Sequence, residues 1–572
     1  MEYSAILHDM DKRFCYAIDK DLFVIRVQVK KDDIKEIILH YEDKYIPLEW
    51  KDTRKRIPMK KVATSQFHDY YEAQLQMHLI CLRYYFEFTD MQGEKVYYGN
   101  YEFSRECITN RDRMFDCPQN LREEEMFEVP EWAANKVVYQ IFPSRFAATE
   151  PVDKELWYKA PITPMDDLHG NLRGIIEHMD DIQNLGIDVL YMTPIFQSNS
   201  CHKYDTTDYY QIDPSFGTTE DLKELVQKAH ERGMKVVLDA VYNHTGREFF
   251  AFADILENGE KSKYRDWYFI DGFPLKSEWG EIPNFKCFGY YGGMPKLNLK
   301  NPEVEKYITD VACYWIKECD IDGWRLDVGD EISHFFWKNF RKAVKAVKKD
   351  MLIIGEIWHY AGDFLEGDEW DTVMNYPFYL NLIDLLADEK ITVSQFVQNL
   401  GYLKGRLHKN CYPLMWNLID SHDTARFLHL CNDNKKKQHL AAAFQLLLPG
   451  MPMIYYGDEY AMPGANDPDC RRGMYWDEEY QDKEMYEWYK RLIQVRKSHA
   501  CIVEGELAGI VTEDEEGTVV LIRKNGEETI AMIFNCSSSA KKFNAYTEKY
   551  NLLTENTFDG NVEGFDAAVI VL

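Results

Sequence analysis

Gly323-Trp324-Arg325-Leu326-Asp327-Val328 sets one cation and one anion two residues apart in an otherwise apolar run. The run has the length and composition of a buried strand. Residues two apart on a strand share a face, so Arg325 and Asp327 point the same way. A guanidinium is permanently charged and favours ionisation of a carboxyl beside it. A fixed, ionised carboxylate is what a nucleophile on an acetal carbon must be. A structural ion pair at a strand end reads the same way, so this stretch needs company.

It has company. Val236 to His244, Leu352 to His359 and Trp416 to Asp423 are three further stretches in which an apolar run ends on a carboxylate: Asp239, Glu356, and Asp420 with Asp423. All three also carry His. A barrel whose reactive residues sit at the C-terminal ends of several different strands has this signature.

Asp239–His244, Gly323–Asp327, Glu356–His359 and Asn417–Asp423 resemble the four signature regions of the alpha-amylase family, glycoside hydrolase family 13. Met294-Pro295-Lys296-Leu297-Asn298 resembles the further motif of its neopullulanase, cyclomaltodextrinase and maltogenic amylase branch. With the flanking modules, the resemblance extends over nearly the whole chain.

The 572 residues exceed one core, and a length prior allows about three or four domains. The net charge of −29 argues against nucleic-acid and anionic-membrane partners and suits a neutral substrate. The N-terminus has no positively charged start followed by an apolar run, so no secretory signal is expected. No run of about 18 apolar residues occurs, so no membrane helix is expected. Thirteen scattered Cys without a C-x-x-C suit reduced thiols and a cytoplasmic location.

The expected architecture is α/β: a (β/α)8 TIM barrel with an insertion after strand three, an N-terminal β-sandwich and a C-terminal antiparallel β domain. Residues 1–122 alternate like sandwich strands, with Gln92-Gly93 as a turn. The resemblance implies that this module pairs two subunits into a homodimer and helps wall the cleft; a starch-binding role is the alternative. Pro118 to Pro130 reads as a linker. Residues 123–501 carry the strand–helix alternation, broken at about 245–300 by a loop-rich insertion. One helix is expected over Asn171 to Gly186, and strand six over Thr372 to Tyr376. Strand seven is expected to end at Asp423, and helix seven to run from His439 to Leu448. Residues 502–572 return to strands around an Asn525-Gly526 hairpin turn.

Hydrolysis of a glycoside needs two carboxyl groups in different protonation states. Asp327 is expected to be the nucleophile. Glu356, flanked by Ile354, Ile357 and Trp358, is expected to hold a proton as general acid and base. If the reaction retains configuration, their carboxyls lie about 5–5.5 Å apart. The resemblance makes Asp423 the third catalytic carboxylate and gives substrate-binding roles to the other residues. His244 and His422 bond the ring at the cleaved bond, and Tyr204 stacks under it. Asp467 and Arg471 grip the next sugar, and Trp358 influences acceptor sites and bond choice. Arg325 serves the same site, with Asp239 expected to hold it. For Asp467 and Arg471 a surface ion pair is the alternative, and Phe288 reads as subdomain core or a stacking ring.

No organic cofactor is expected. The calcium ligands of several relatives are largely missing from Arg145 to Asp153 and from His169-Gly170-Asn171. The expected activity is retaining hydrolysis of α-1,4 and some α-1,6 glucosidic bonds in cyclodextrins, maltooligosaccharides and pullulan, with transglycosylation. The alternatives are a transglycosylase or open-cleft amylase of the same fold, or a non-catalytic amylase-like binding protein.

Overall fold

Eight short parallel strands carry the sequence motifs: β1 (Val138–Ile141), β2 (Val189–Met192), β3 (Lys235–Ala240), β4 (Gly323–Leu326), β5 (Leu352–Gly355), β6 (Thr372–Val373), β7 (Trp416–Asn417) and β8 (Met451–Tyr455). They belong to a computed structural model that describes all residues except 48–49, 77–80, 119–125 and 277–281. The strands run β6-β5-β4-β3-β2-β1-β8-β7, and the bridge Met374–Trp416 joins the two ends into a barrel. Most of the expected linker, at 119–125, lies outside the described residues.

The chain forms two compact units. One comprises Met1–Val129, Tyr360–Asp371 and Ser394–Tyr412; the other comprises Pro130–His359, Thr372–Val393 and Pro413–Leu572. In the first, a four-stranded and a six-stranded antiparallel sheet enclose Ile25, Val27, Leu39, Phe86 and Phe88. The second unit holds the barrel, the insertion between β3 and β4, and a C-terminal six-stranded antiparallel sheet. In that sheet Thr518–Asn525 and Glu528–Asn535 form the hairpin, whose Gly526 takes a φ of 60° that favours glycine.

The barrel's register decides where the chemistry lies. Asp239 on β3 pairs with Arg325 on β4, and Leu326 on β4 with Gly355 on β5. One residue further along, Asp327 and Glu356 come level on neighbouring strands. The helix predicted over 171–186 is two helices, Leu172–Glu177 and Met179–Leu185. They meet at His178, whose ring stacks on Trp476 at 3.6 Å. Strand six is shorter than predicted because Asn375 caps a helix, Tyr376–Leu382, with Pro377 in its first turn. Strand seven also stops early. Asp420–Asp423 enters a turn in which Ser421 N–H donates to Thr424 Oγ1 at 2.9 Å and Asp423 N–H to Ser421 Oγ at 3.2 Å. The seventh helix begins at Lys435 rather than His439, capped by Asn434, and ends at Leu447.

The loop from that helix into β8 is held by Arg496. This fully buried guanidinium donates to the carbonyls of Leu446 at 2.7 Å and Leu448 at 2.9 Å, and to that of Gly450. Burial pulls it down to about 9. A cation at a helix C-terminus also meets the negative end of the macrodipole. Arg496→Met leaves these carbonyls without their donor and is expected to cost about 3 kcal/mol. A urea midpoint unchanged from wild type would contradict that role.

Candidate active site

Arg325 is the hub. Its NH1 lies 2.8 Å from Asp327 Oδ1 and 3.2 Å from both carboxylate oxygens of Asp239. Its NH2 lies 2.9 Å from Glu356 Oε2, and its Nε donates to Met374 Sδ at 3.4 Å. Glu356 also accepts from Val328 N–H at 2.9 Å and Trp358 Nε1–H at 3.2 Å. Val328 makes that contact from a φ of 47°, strained for a β-branched residue. The strain falls directly after Asp327.

A second layer fixes Asp239. Tyr191 donates to its Oδ2 at 2.6 Å and Tyr204 at 3.0 Å. Tyr204 Oη also meets His422 Nε2 at 2.5 Å, and Gln140 Nε2 reaches His422 Nδ1 at 2.7 Å. With Gln140 donating to Nδ1, His422 carries its proton on Nε2 and donates to Tyr204, which donates to Asp239. Burial keeps His422 far below the usual histidine range, so it is neutral.

Asp423 lies at the outer edge. Arg471 NH2 is 3.3 Å from its Oδ1, while Arg471 Nε donates to the His422 carbonyl at 2.8 Å. Asp467 pairs with Arg471 NH1 at 2.7 Å. Arg471 is buried while the Asp467 side chain is 48% exposed, so the pair reaches from the site to the surface. His244 is buried and neutral, burial pulling it down to about 3, and its Nε2 has no partner. A buried ring nitrogen left free is able to bond a ligand hydroxyl. Phe288 stacks on His244 at 5.0 Å and is 36% exposed, so it is not a core residue. Trp358 is 42% exposed and stacks on Tyr376 at 3.9 Å.

The sequence passed over three members of this constellation: Met374, Gln140 and His202. Tyr204 N–H donates to His202 Nδ1 at 3.1 Å, which leaves Nε2 protonated on the neutral ring. Asp423 and Arg471 both act on the His202 ring electrostatically. The signal was present, since His202 stands two residues before Tyr204. The other two depend on register across the barrel.

The electrostatics correct one expectation. Arg325 was to keep Asp327 ionised by itself. Burial instead pushes Asp327 well above the usual carboxylate range, against the pull of Arg325, and pushes Asp239 up to about 6. One guanidinium faces three carboxyl groups. Ionising all three would leave two buried negative charges uncompensated, so the cluster keeps at least one proton. A cluster that holds a proton beside a fixed cation can protonate a leaving oxygen and supply a carboxylate nucleophile.

The loop after β1 is tied together by its own side chains. Asn171 spends Oδ1 on Gly174 N–H at 2.8 Å and donates from Nδ2 to Thr149 Oγ1 at 3.2 Å. Asp153 caps the helix Lys154–Trp157. Among the described residues, no cluster of three or more His, Cys, Asp or Glu is arranged to hold a metal.

Residues 140–480 match the family model for the alpha amylase catalytic domain, and residues 1–119 match that for the alpha amylase N-terminal ig-like domain. A cyclomaltodextrinase of Geobacillus thermopakistaniensis is 41% identical over 98% of this chain and 97% of its own. Neopullulanase 2 of Thermoactinomyces vulgaris is 39% identical over 94% of this chain and 91% of its own. An intracellular maltogenic amylase of Bacillus subtilis is 38% identical over the same shares. The solved structure of a cyclomaltodextrinase superposes with a TM-score of 0.94 at 37% identity, covering all of both chains.

Proposed function

The chain belongs to the alpha-amylase family, and we propose that it opens cyclodextrins and cuts short maltooligosaccharides and pullulan by a retaining double displacement. One observation carries the stereochemistry. Asp327 and Glu356 stand level on adjacent parallel strands, both on Arg325. Neighbouring strands lie about 4.8 Å apart. That backbone spacing, with both carboxyls held on one guanidinium, supports a close retaining pair of about 5–5.5 Å over an inverting pair of about 6.5–9.5 Å.

In this reading an Asp327 oxygen attacks the anomeric carbon while Glu356 gives its proton to the departing glycosidic oxygen. The glycosyl ester is then cleaved by water, whose proton returns to Glu356. His244, His422, Tyr204 and Asp423 hold the reacting ring, and Arg325 orients both carboxyls. Asp467 and Arg471 grip the neighbouring sugar. The exposed face of Trp358, beside Glu356, gives an acceptor sugar a platform, so transfer accompanies hydrolysis. The sequence names of the relatives support these substrates: cyclomaltodextrinase and neopullulanase.

The enzyme works without organic cofactor or calcium in this reading, because the Asn171–Thr149 bond closes the loop directly. EDTA is expected to leave Tm unchanged; a calcium-dependent rise in Tm would refute it. The N-terminal module pairs two chains, and sedimentation at micromolar concentration is expected to give a dimer; a monomer would remove that role. No helix among the described residues is long and apolar enough to cross a membrane. No disulfide joins the cysteines of the described residues, which supports a cytoplasmic location.

The test is reducing-sugar release from β-cyclodextrin, pullulan and soluble starch side by side, with Asp327→Asn as the blank. Fast cyclodextrin opening with slow starch digestion is expected. Starch as the best substrate would instead indicate an open-cleft amylase.

A further inference from the structure

A second buried charge cluster lies beside the site and takes no part in the chemistry above. Asp420 lies in the turn after β7, three residues before Asp423, and Asp458 lies in the loop after β8. Both are buried, and so is Arg426. Arg426 NH1 lies 2.9 Å from Asp458 Oδ1. Asp420 Oδ2 accepts from Phe427 N–H at 2.7 Å. That leaves Asp420 Oδ1 and Asp458 Oδ2, two buried oxygens without a donor. The two side chains are within hydrogen-bonding contact of each other. A single proton between them satisfies both oxygens and leaves one negative charge for one guanidinium.

The cluster joins two loops that carry site residues. Arg426 N–H donates to Gly464 O at 3.0 Å, and Arg426 Nε to Cys470 O at 3.1 Å. The next residue, Arg471, holds Asp423 and the His422 carbonyl. Contacts therefore run in a closed ring from Asp420 through Asp458, Arg426 and Arg471 back to Asp423.

We propose that Asp420, Asp458 and Arg426 are positioning residues: a proton-sharing pair on a buried guanidinium that locks the β7 and β8 loops together and so sets Asp423, His422 and Arg471 against the substrate. This rests on the function proposed above. The groups facing the pair from the surrounding elements are Arg426, Glu459, Tyr139, Tyr379, Tyr455 and Tyr489. Among them Arg426 is the cation. Burial raises both Asp420 and Asp458. A carboxyl raised in the folded state binds more protons there than in the unfolded chain. The lock is therefore strongest at low pH and weakens as pH climbs past the unfolded value, about 4.

Asparagine at position 420 separates proton sharing from mere packing. Its amide donates to Asp458 at every pH, and its carbonyl still accepts from Phe427 N–H. Asp420→Ala is expected to lower kcat/KM on β-cyclodextrin at least tenfold at pH 6.5, and Asp420→Asn to recover at least tenfold over Ala. The alkaline limb of kcat/KM is expected to move up by at least one pH unit in Asp420→Asn. The fall of Tm with rising pH becomes shallower in that variant, a readout that needs no substrate. An Asn variant with the wild-type alkaline limb and the wild-type slope of Tm against pH would overturn the proposal, whether or not the Ala variant folds. Wild-type protein that leaves β-cyclodextrin intact while the Tm slopes differ as stated would instead overturn the proposed function and leave the lock standing.

Discussion

Asp327→Asn is expected to lower kcat on β-cyclodextrin by about 10^4-fold or more, because an amide oxygen does not form the glycosyl ester. The same change is expected to leave Tm equal to or above that of wild type. Asp327 is buried, and burial raises its carboxyl far above the unfolded value. The folded state therefore binds more protons than the unfolded state between those two values, and stability falls as pH rises through that window. Asparagine removes the titration and with it that loss. Turnover within tenfold of wild type would refute the nucleophile assignment. A Tm well below wild type at pH 7 would show that Asp327 is a structural partner of Arg325 rather than a strained reactive group.

Glu356→Gln is expected to lower kcat on β-cyclodextrin by about 10^3-fold. With α-maltosyl fluoride the pattern changes, since fluoride departs without a proton. A burst of fluoride release is expected, followed by slow turnover that added azide accelerates. The slow phase reflects loss of the base that activates water in the second step. Equal losses on cyclodextrin and on the fluoride burst would contradict the acid role of Glu356. They would point to its contacts with Arg325, Val328 and Trp358 as its whole contribution.

The parts of this site legible in sequence were the local ones. Arg325 and Asp327 were found by the period of two, and Glu356 by the apolar run that precedes it. The barrel followed from the alternation of strands and helices, one of which opens on a capping box of Thr218 and Asp221. What stayed hidden depends on register between distant strands. Asp239 was expected to hold Arg325, 86 residues away, but nothing local shows that Glu356 reaches the same guanidinium. The sharing of one guanidinium by three carboxyls was therefore missed. Strand seven was drawn too long because Leu418 and Ile419 continue its apolar run, whereas Ser421 and Thr424 fold the chain into a turn. The same turn holds Asp420, which resembles one more strand-end carboxylate until its partner Asp458, from the next β-unit, is seen beside it.

The stereochemistry of bond cleavage tests the central claim most directly. Proton NMR of the first maltooligosaccharide released from β-cyclodextrin, recorded before mutarotation, reports the configuration at the new reducing end. The level pair Asp327 and Glu356 predicts the α-anomer, the product of two inversions through an enzyme ester. A β-anomer as the first product would mean a single displacement by water, and would contradict both the nucleophile and the spacing on which the mechanism stands.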